Sequence, residues 1–391
     1  MTSTPMDLDP LEVPSPANGT PSTSLNITRT LGGSLASTVA VTDIIGIFRP
    51  TKLFQRNDIK DGRPQPHILS LDYDDPGELL MTSESDETIQ IYKVREGRHD
   101  KQLLSKKYGV KLAKFTRNSS SIIYASTKQN DAIRYLTTHD NAFIRYFEGH
   151  EAAVTSLAMH PGTDDFISCS KDNTVRLWNA GTKNMTGLMH LNNPSLAAFD
   201  PSGQVFAVGS PSSGSVLLYD HRNFDKAPFA TFDIVEACGA VDANYTMKSW
   251  TKLEFANDGR SILLGTKGGG HFLLDSFNGS LKAYLRKPEG TRINRLAAGE
   301  DASVNGGSNG TNVESSGDCC FTVDGRYVIG GTKKGVVVWD TVGLSDEKKI
   351  CEPLHTIEDQ REAAVVAFNP RFNFFATANQ EVVFWIPDPH A

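Results

Sequence analysis

Residues 149–179 read GHEAAVTSLAMHPGTDDFISCSKDNTVRLWN, and their order decides how the rest of the chain is parsed. A Gly-His pair opens the stretch. Val154, Ser156 and Ala158 then alternate with Thr155, Leu157 and Met159. A turn and a second run follow, and Ser170-Lys171-Asp172 leads into Val175-Arg176-Leu177-Trp178-Asn179. Period-two alternation bounded by turn residues is the pattern of short strands.

This order resembles one four-stranded blade of a WD-repeat propeller. In WD-repeat proteins a His before the first strand, a strand Ser, a turn Asp and the indole N–H of a Trp form a buried hydrogen-bonded chain. The matching residues are His150, Ser168 or Ser170, Asp172 and Trp178. Such a chain is favourable only when every member is satisfied, so it locks one arrangement of the blade. His150 and Asp172 also look like half a catalytic triad, but their spacing to Trp178 is the blade's own and points to a structural role.

Working outward, each equivalent of Trp178 should end a short apolar run. Tyr92, Leu136, Trp178, Tyr219, Leu274, Trp339 and Trp385 do so. The first four recur roughly every 40 to 45 residues, the period of a WD blade. Two later intervals are longer and contain extra sequence at 233–248 and 299–317. The second, GEDASVNGGSNGTNVESSG, reads as a flexible loop projecting from the ring. Asp200-Pro201-Ser202-Gly203, Asn257-Asp258-Gly259 and Asp324-Gly325 supply hairpin turns, so no helix beyond a turn or two is expected. The expectation is an all-β, seven-bladed WD-repeat propeller over 41–391. The strand-like run 45–56 should complete the last blade and remove an open edge, with Pro50 limiting where it pairs.

Residues 1–40 are rich in Ser, Thr, Pro and Gly and read as a disordered tail. Thr4, Ser15 and Thr20 each precede Pro there and are candidate phosphorylation sites. The start has no basic segment followed by an apolar one, which argues against a secretory signal. The run 31–48 carries too many polar residues for a good membrane span, so a soluble protein without membrane contact is expected. At 391 residues, one propeller or two smaller domains both fit. A formal net charge of -7 argues against a protein that coats nucleic acid, and no direct sequence-specific binding to it is expected.

The five cysteines (Cys169, Cys238, Cys319, Cys320 and Cys351) form no C-x-x-C pair, and no His falls at zinc-finger spacing. Reduced thiols in the cytosol or nucleus, no metal and no cofactor are expected. The stretch 265–271, GTKGGGH, lacks the order of a phosphate-binding loop and reads as a hairpin turn. Asp72, Asp74, Asp75 and Glu78 miss the spacing of a calcium loop.

Two clusters are candidate partner-binding residues. One is His139, Asp140 and Asn141 with Arg145 and Tyr146, leading into the Gly149-His150 pair. The other is Phe224, Asp225, Lys226, Pro228 and Phe229, where aromatic density exceeds what one outer strand needs. Turn and rim contacts are the alternative reading of both.

Several stretches go beyond a generic propeller: Tyr108-Gly109-Val110, DAIRYLTTHDNAFIRYFEGH at 131–150, GLMHL at 187–191, YDHRNFDKAPFATF at 219–232, and Trp250-Thr251 with FANDG at 255–259. With these the chain resembles, over about 41–387, the WD-repeat subunits of COMPASS histone lysine methyltransferase complexes. In fungi that subunit is shared with the cleavage and polyadenylation machinery and its phosphatase module. The resemblance implies a nuclear, non-catalytic adaptor, monomeric within larger complexes, that places a methyltransferase on chromatin and serves mRNA 3'-end processing and transcription termination. Its partners would be methyltransferase, polyadenylation and phosphatase subunits. The competing readings are a scaffold of another assembly, such as a vesicle coat or ubiquitin ligase, and a propeller hydrolase, which would need a nucleophile with a base in reach.

Overall fold

The computed structural model describes residues 39–57, 59, 64–242, 249–300, 313–343 and 349–390. The candidate tail residues 1–38 and the centre of the 299–317 insert lie outside them. The strands form seven sheets of four or five strands, antiparallel apart from one added edge strand, and the innermost strand of each sheet lies beside the next, the last returning to the first. The inner strands, in ring order, are Ile68–Tyr73, Lys111–Phe115, Val154–Met159, Leu196–Phe199, Trp250–Phe255, Cys319–Phe321 and Val365–Phe368. We number the blades 1 to 7 in this order.

All seven marks fall at one place in the register. They sit on the third strand of each blade and pair with Leu80, Ile122, Phe166, Phe206, Ile262, Val328 and Phe375 on the second. Because side chains alternate along a strand, each blade presents one set to the preceding blade and the other to the following one. In blade 3, Phe166, Trp178 and Leu157 pack against Ile123 and Phe147 of blade 2, whereas Ile167, Cys169 and Leu177 pack against Ala197 and Phe206 of blade 4. Each of the seven seams between blades holds a hydrophobic cluster of this kind. Two buried faces explain why the strands read as nearly continuous apolar runs.

Phe48–Phe54 pairs with Val382–Pro387 as the outer strand of blade 7. The register slips between Pro50 and Lys52, so the residue that lacks an N–H falls at an irregularity. Just before it, a single helical turn, Val41–Ile44, buries Val41 and Ile44 in the seam between blades 6 and 7.

Packing at that seam is close. A Cβ on Gly331 would lie 1.8 Å from the carbonyl oxygen of Ala363, a backbone atom that cannot swing aside. Gly331→Ala is therefore expected to destabilise the fold by about 1 to 3 kcal/mol, read as a lowered urea midpoint. A midpoint equal to that of the parent would contradict this.

Two additions extend the repeated plan, the first a helix of 7 residues, within the turn or two expected. The Val235–Val241 helix occupies part of the first insert, and its Cys238 is fully buried between blades 4 and 5. Blade 5 gains a fifth strand, Ile350–Cys351, parallel to Leu281–Arg286, because the connection between the third and outer strands of blade 6 is long enough to reach back.

The flanks of the 299–317 insert dock on the ring, whereas its Gly-, Asn- and Ser-rich centre, 301–312, lies outside the described residues. The described parts of this connection between blades 5 and 6 do not project outward. Arg295 donates to the Ile68 carbonyl and to Asn379 Oδ1, each at 2.8 Å. Glu314 pairs with Lys111 at 3.0 Å, Ala298 N–H donates to the Trp250 carbonyl, and Val366 N–H donates to that of Gly317. Ile68, Lys111 and Trp250 open the inner strands of blades 1, 2 and 5, and Val366 lies one residue into that of blade 7. One connection can reach all four only by crossing the mouth of the central channel, so it forms a cap. Residues 301–312 are outside the described set.

Candidate partner-binding site

In blade 3 the chain ordered by Gly149-His150 is complete. His150 Nδ1 lies 2.8 Å from Asp172 Oδ2, and its Nε2 lies 2.6 Å from Ser168 Oγ, which also accepts from Trp178 Nε1 at 2.9 Å. Asp172 accepts further from Thr174 Oγ1 and from the Glu151 and Thr174 amides. Burial lowers the His150 pKa, and hydrogen bonding to Asp172 opposes that only in part. The ring is therefore neutral, with Nδ1–H donating to Asp172 and Nε2 accepting from Ser168. Burial resists ionisation of Asp172, but its bonds from Thr174, His150 and Glu151 outweigh it and hold the carboxyl down at about 2.

Of the two serines proposed from the sequence, Ser168 belongs to this chain. Ser170 instead donates to the Ala152 carbonyl and accepts from the Asp172 amide, tying the turn to the preceding loop. Ser168, His150 and Asp172 do have the connectivity of a hydrolytic triad. Ser168 is 0% exposed, however, and its oxygen already accepts the indole proton, so no substrate carbonyl can reach it.

Other blades meet the same need with different groups. In blade 7 Thr377 accepts from Trp385 Nε1 at 2.9 Å, and in blade 6, where Gly330 offers no hydroxyl, Trp339 Nε1 donates to the Arg286 carbonyl. In blade 1 the guanidinium of Arg56 takes the place of His150, bonding Glu84 and Thr88 and pairing with Asp86. Burial, offset in part by Arg56, pushes the Glu84 carboxyl up to about 7. The sequence hint was only that Arg56 follows the closing strand.

Between blades 5 and 6 a buried ion pair clasps the two ends of the cap. Lys287 Nζ lies 2.6 Å from Asp318 Oδ2, with side chains 1% and 4% exposed, and it also donates to the Thr266 carbonyl. Thr251 Oγ1 donates to the other Asp318 oxygen. His271, expected in a hairpin turn, is on a strand and fully buried; its Nδ1 accepts from the Thr266 amide, and its Nε2 lies 4.0 Å from Asp318. Burial and the nearby Lys287 drive its pKa down to about 3. His271, Asp318 and Cys319 lie close enough to share a cation, but the Lys287 ammonium already neutralises the carboxylate and burial holds the thiol protonated.

The two candidate clusters fare differently. His139, Asp140 and Asn141 build the turn before the outer strand Phe143–Phe147. The Asp140 carboxylate accepts from Thr137 and the Ala142 amide, while Asn141 takes φ +57 and donates to the Leu104 carbonyl. Arg145 reaches the Ala180 carbonyl of blade 3. Tyr146 faces out, 38% exposed, beside Phe143 and Tyr108 at centroid separations of 5.3 and 6.5 Å. Beneath them, the buried Arg134 guanidinium sits 3.4 Å from the Tyr108 ring and 4.9 Å from that of Tyr146. Only Tyr146 of the sequence candidates joins this patch; Tyr108, Phe143 and Arg134 became visible once adjacent strands were paired.

In the second cluster Phe224 is half-buried and packs against the hydrophobic cluster between blades 3 and 4. A Cβ on Gly187 would fall 2.3 Å from its ring, so the outer strand of blade 3 needs Gly there. Lys226 donates to Asn223, Asp225 is exposed, Pro228 is half-buried, and Phe229 is 60% exposed. No contact joins this cluster to the Tyr146 patch among the described residues.

Comparison with known proteins agrees with this geometry. The family described as WD domain, G-beta repeat matches residues 141–179. The chain is 34% identical to COMPASS component SWD2 of Saccharomyces cerevisiae, over 87% of this chain and 96% of that protein. It is 31% identical to Set1 complex component swd2 of Schizosaccharomyces pombe, over 89% of this chain and 99% of that protein. It is 34% identical to WD repeat-containing protein 82 of Drosophila melanogaster, over 89% of this chain and 96% of that protein.

Proposed function

Because this chain belongs to the WD-repeat family of COMPASS component SWD2 and WD repeat-containing protein 82, we propose that it is a non-catalytic scaffold subunit of a nuclear histone lysine methyltransferase complex. The likeness to components so named, over 87% to 89% of this chain, carries this reading. The blade 3 network supports it, since the residues that would make a hydrolase are sealed within the fold. The resemblance of the stretches at 131–150 and 219–232 to the fungal subunit implies a finer assignment: the same subunit also serves mRNA 3'-end processing and transcription termination, in contact with polyadenylation and phosphatase subunits.

Rigid rings suit this work because repeated strands hold varied surface groups still. The patch of Tyr108, Phe143 and Tyr146 over Arg134 is the partner-facing surface we assign, aromatic and Arg residues being the usual anchors of interfaces. The test is affinity purification of the tagged full-length chain with mass spectrometry. Recovery of methyltransferase subunits supports the scaffold reading, and co-recovery of polyadenylation and phosphatase subunits supports the finer one. Recovery of coat or ubiquitin ligase components instead would overturn both. The Tyr108→Ala/Tyr146→Ala pair is expected to weaken capture of the methyltransferase partner by about 2 kcal/mol, roughly thirtyfold. Unchanged capture would move the interface elsewhere on the ring.

A further inference from the structure

The aromatic patch of blade 2 holds two positive charges that no carboxylate meets. Arg134 is 3% exposed and donates from Nε to Ser126 Oγ and from Nη2 to Asn130 Oδ1, each at 2.8 Å, and both acceptors are neutral. Its guanidinium faces the Phe143 ring at 5.8 Å as well as the rings of Tyr108 and Tyr146. Lys107 is exposed and places its ammonium 5.0 Å from the centre of the Tyr108 ring. The neighbouring cations are already engaged, Lys106 by Asp86 and Lys128 by Glu87. Lys107 and Arg134 enter no ion pair among the described residues, and neither do Asp131 and Glu148, the acids that flank Arg134 and the Tyr146 strand in sequence.

Two adjacent donors stand at the surface of this patch. Lys107 hydrogen-bonds the Tyr108 hydroxyl, and that bond, with the charges of Lys107 and Arg134, holds the phenol below its ordinary range. The Tyr108 oxygen therefore accepts, and its own proton remains for an outside acceptor. The ammonium likewise keeps further N–H groups. Exposed apolar side chains lie alongside. Ile144 precedes Tyr146 on the same strand, and Leu104 ends the blade 1 strand whose carbonyl takes the Asn141 side chain.

We propose that this patch binds a partner segment through one aspartate or glutamate, whose carboxylate bridges the Lys107 ammonium and the Tyr108 hydroxyl while apolar neighbours of that residue cover Leu104, Ile144 and the Tyr146 ring. The proposal rests on the reading of the patch as partner-facing and names what the partner brings to it. Adjacent donors of which one is charged match the two oxygens and single charge of a carboxylate. A phosphate monoester carries three terminal oxygens and nearly twice the charge, and the one open ammonium cannot match it, because Arg134 lies beneath the rings. A buried guanidinium without a counter-ion is unfavourable, so an anion above it is favoured and a second cation is rejected.

The experiment titrates the full-length chain with capped peptides Ac-Gly-Leu-X-Leu-Gly-NH2, where X is Glu, Gln, Lys or phosphoserine, and reads binding by saturation-transfer NMR. The Glu peptide is expected to bind at least about fivefold more tightly than the Gln and Lys peptides, and no more weakly than the phosphoserine peptide. Lys107→Gln and Tyr108→Phe keep the rings in place, so thermal unfolding should be unchanged while each weakens the Glu peptide at least about threefold. No binding by any peptide, equal binding of Glu and Gln, tighter binding of phosphoserine than of Glu, or indifference to both substitutions overturns the proposal. The affinity purification above separates the two failures. If the wild-type chain recovers methyltransferase subunits and the Glu peptide fails, the carboxylate assignment alone falls; if it recovers none, the scaffold reading falls.

Discussion

Lys287→Met is expected to destabilise the protein by about 3 to 5 kcal/mol, because it strands the Asp318 carboxylate in a site that is 4% exposed. Asp318→Leu should cost a similar amount by stranding the ammonium. The pair clasps the two ends of the cap, so the loss should spread to blades 5 and 6 as a unit. Joint replacement by Lys287→Met and Asp318→Leu should recover part of it, since two apolar groups leave no uncompensated charge. Urea denaturation of the four proteins measures the coupling. A Lys287→Met variant within about 1 kcal/mol of the parent would refute the clasp.

The same site sets an acid limit. Burial opposes ionisation of Asp318, but Lys287 outweighs it and holds the carboxyl below the ordinary range. Its stabilising effect is therefore present above the unfolded pKa and is lost as pH falls through the lower folded one. His271, with its folded pKa at about 3, acts in the same direction. From roughly pH 6.5 downward the unfolded chain binds a proton at this His and the folded chain does not, so stability falls by up to about 1.4 kcal/mol per pH unit for that group. His271→Asn can keep an acceptor for the Thr266 amide and should flatten this slope between pH 6.5 and 4. An unaltered slope would place the acid sensitivity at other groups.

Ser168→Ala carries the second large effect. It leaves Trp178 Nε1–H without an acceptor and His150 Nε2 without a donor, both inside the seam between blades 2 and 3. At about 1 to 3 kcal/mol for each group the total is roughly 2 to 6 kcal/mol. Ser168→Thr keeps the oxygen, as Thr377 does under Trp385, and should cost less than half as much. Ser170→Ala loses a bond to the Ala152 carbonyl and should cost about 1 kcal/mol. Equal effects at Ser168 and Ser170 would show that the buried chain does not govern the stability of blade 3. Denaturant midpoints, with Trp fluorescence reporting the indole environment, separate these outcomes.

The ring is legible from strand periodicity and turn residues alone. The seven marks from Tyr92 to Trp385 are local: each is the end of an apolar run fixed by strand periodicity and turn residues, and all seven fall on third strands in one register. The His150, Asp172 and Trp178 chain was legible for the same reason, since its members occupy fixed offsets within one repeat.

The remaining features join groups far apart in the chain. The choice of Ser168 over Ser170 depends on which face of a strand meets the indole. Lys287 with Asp318, Arg56 in the place of a His, and Arg134 beneath Tyr108 and Tyr146 depend on which strands become neighbours. The position of the described flanks of the cap is set by Arg295 and Glu314 bonding to blades met elsewhere in the sequence, which no local pattern reports. Local periodicity carries the strand, but closure of the ring chooses the partners, and a pairwise contact has no energy until both groups are brought together.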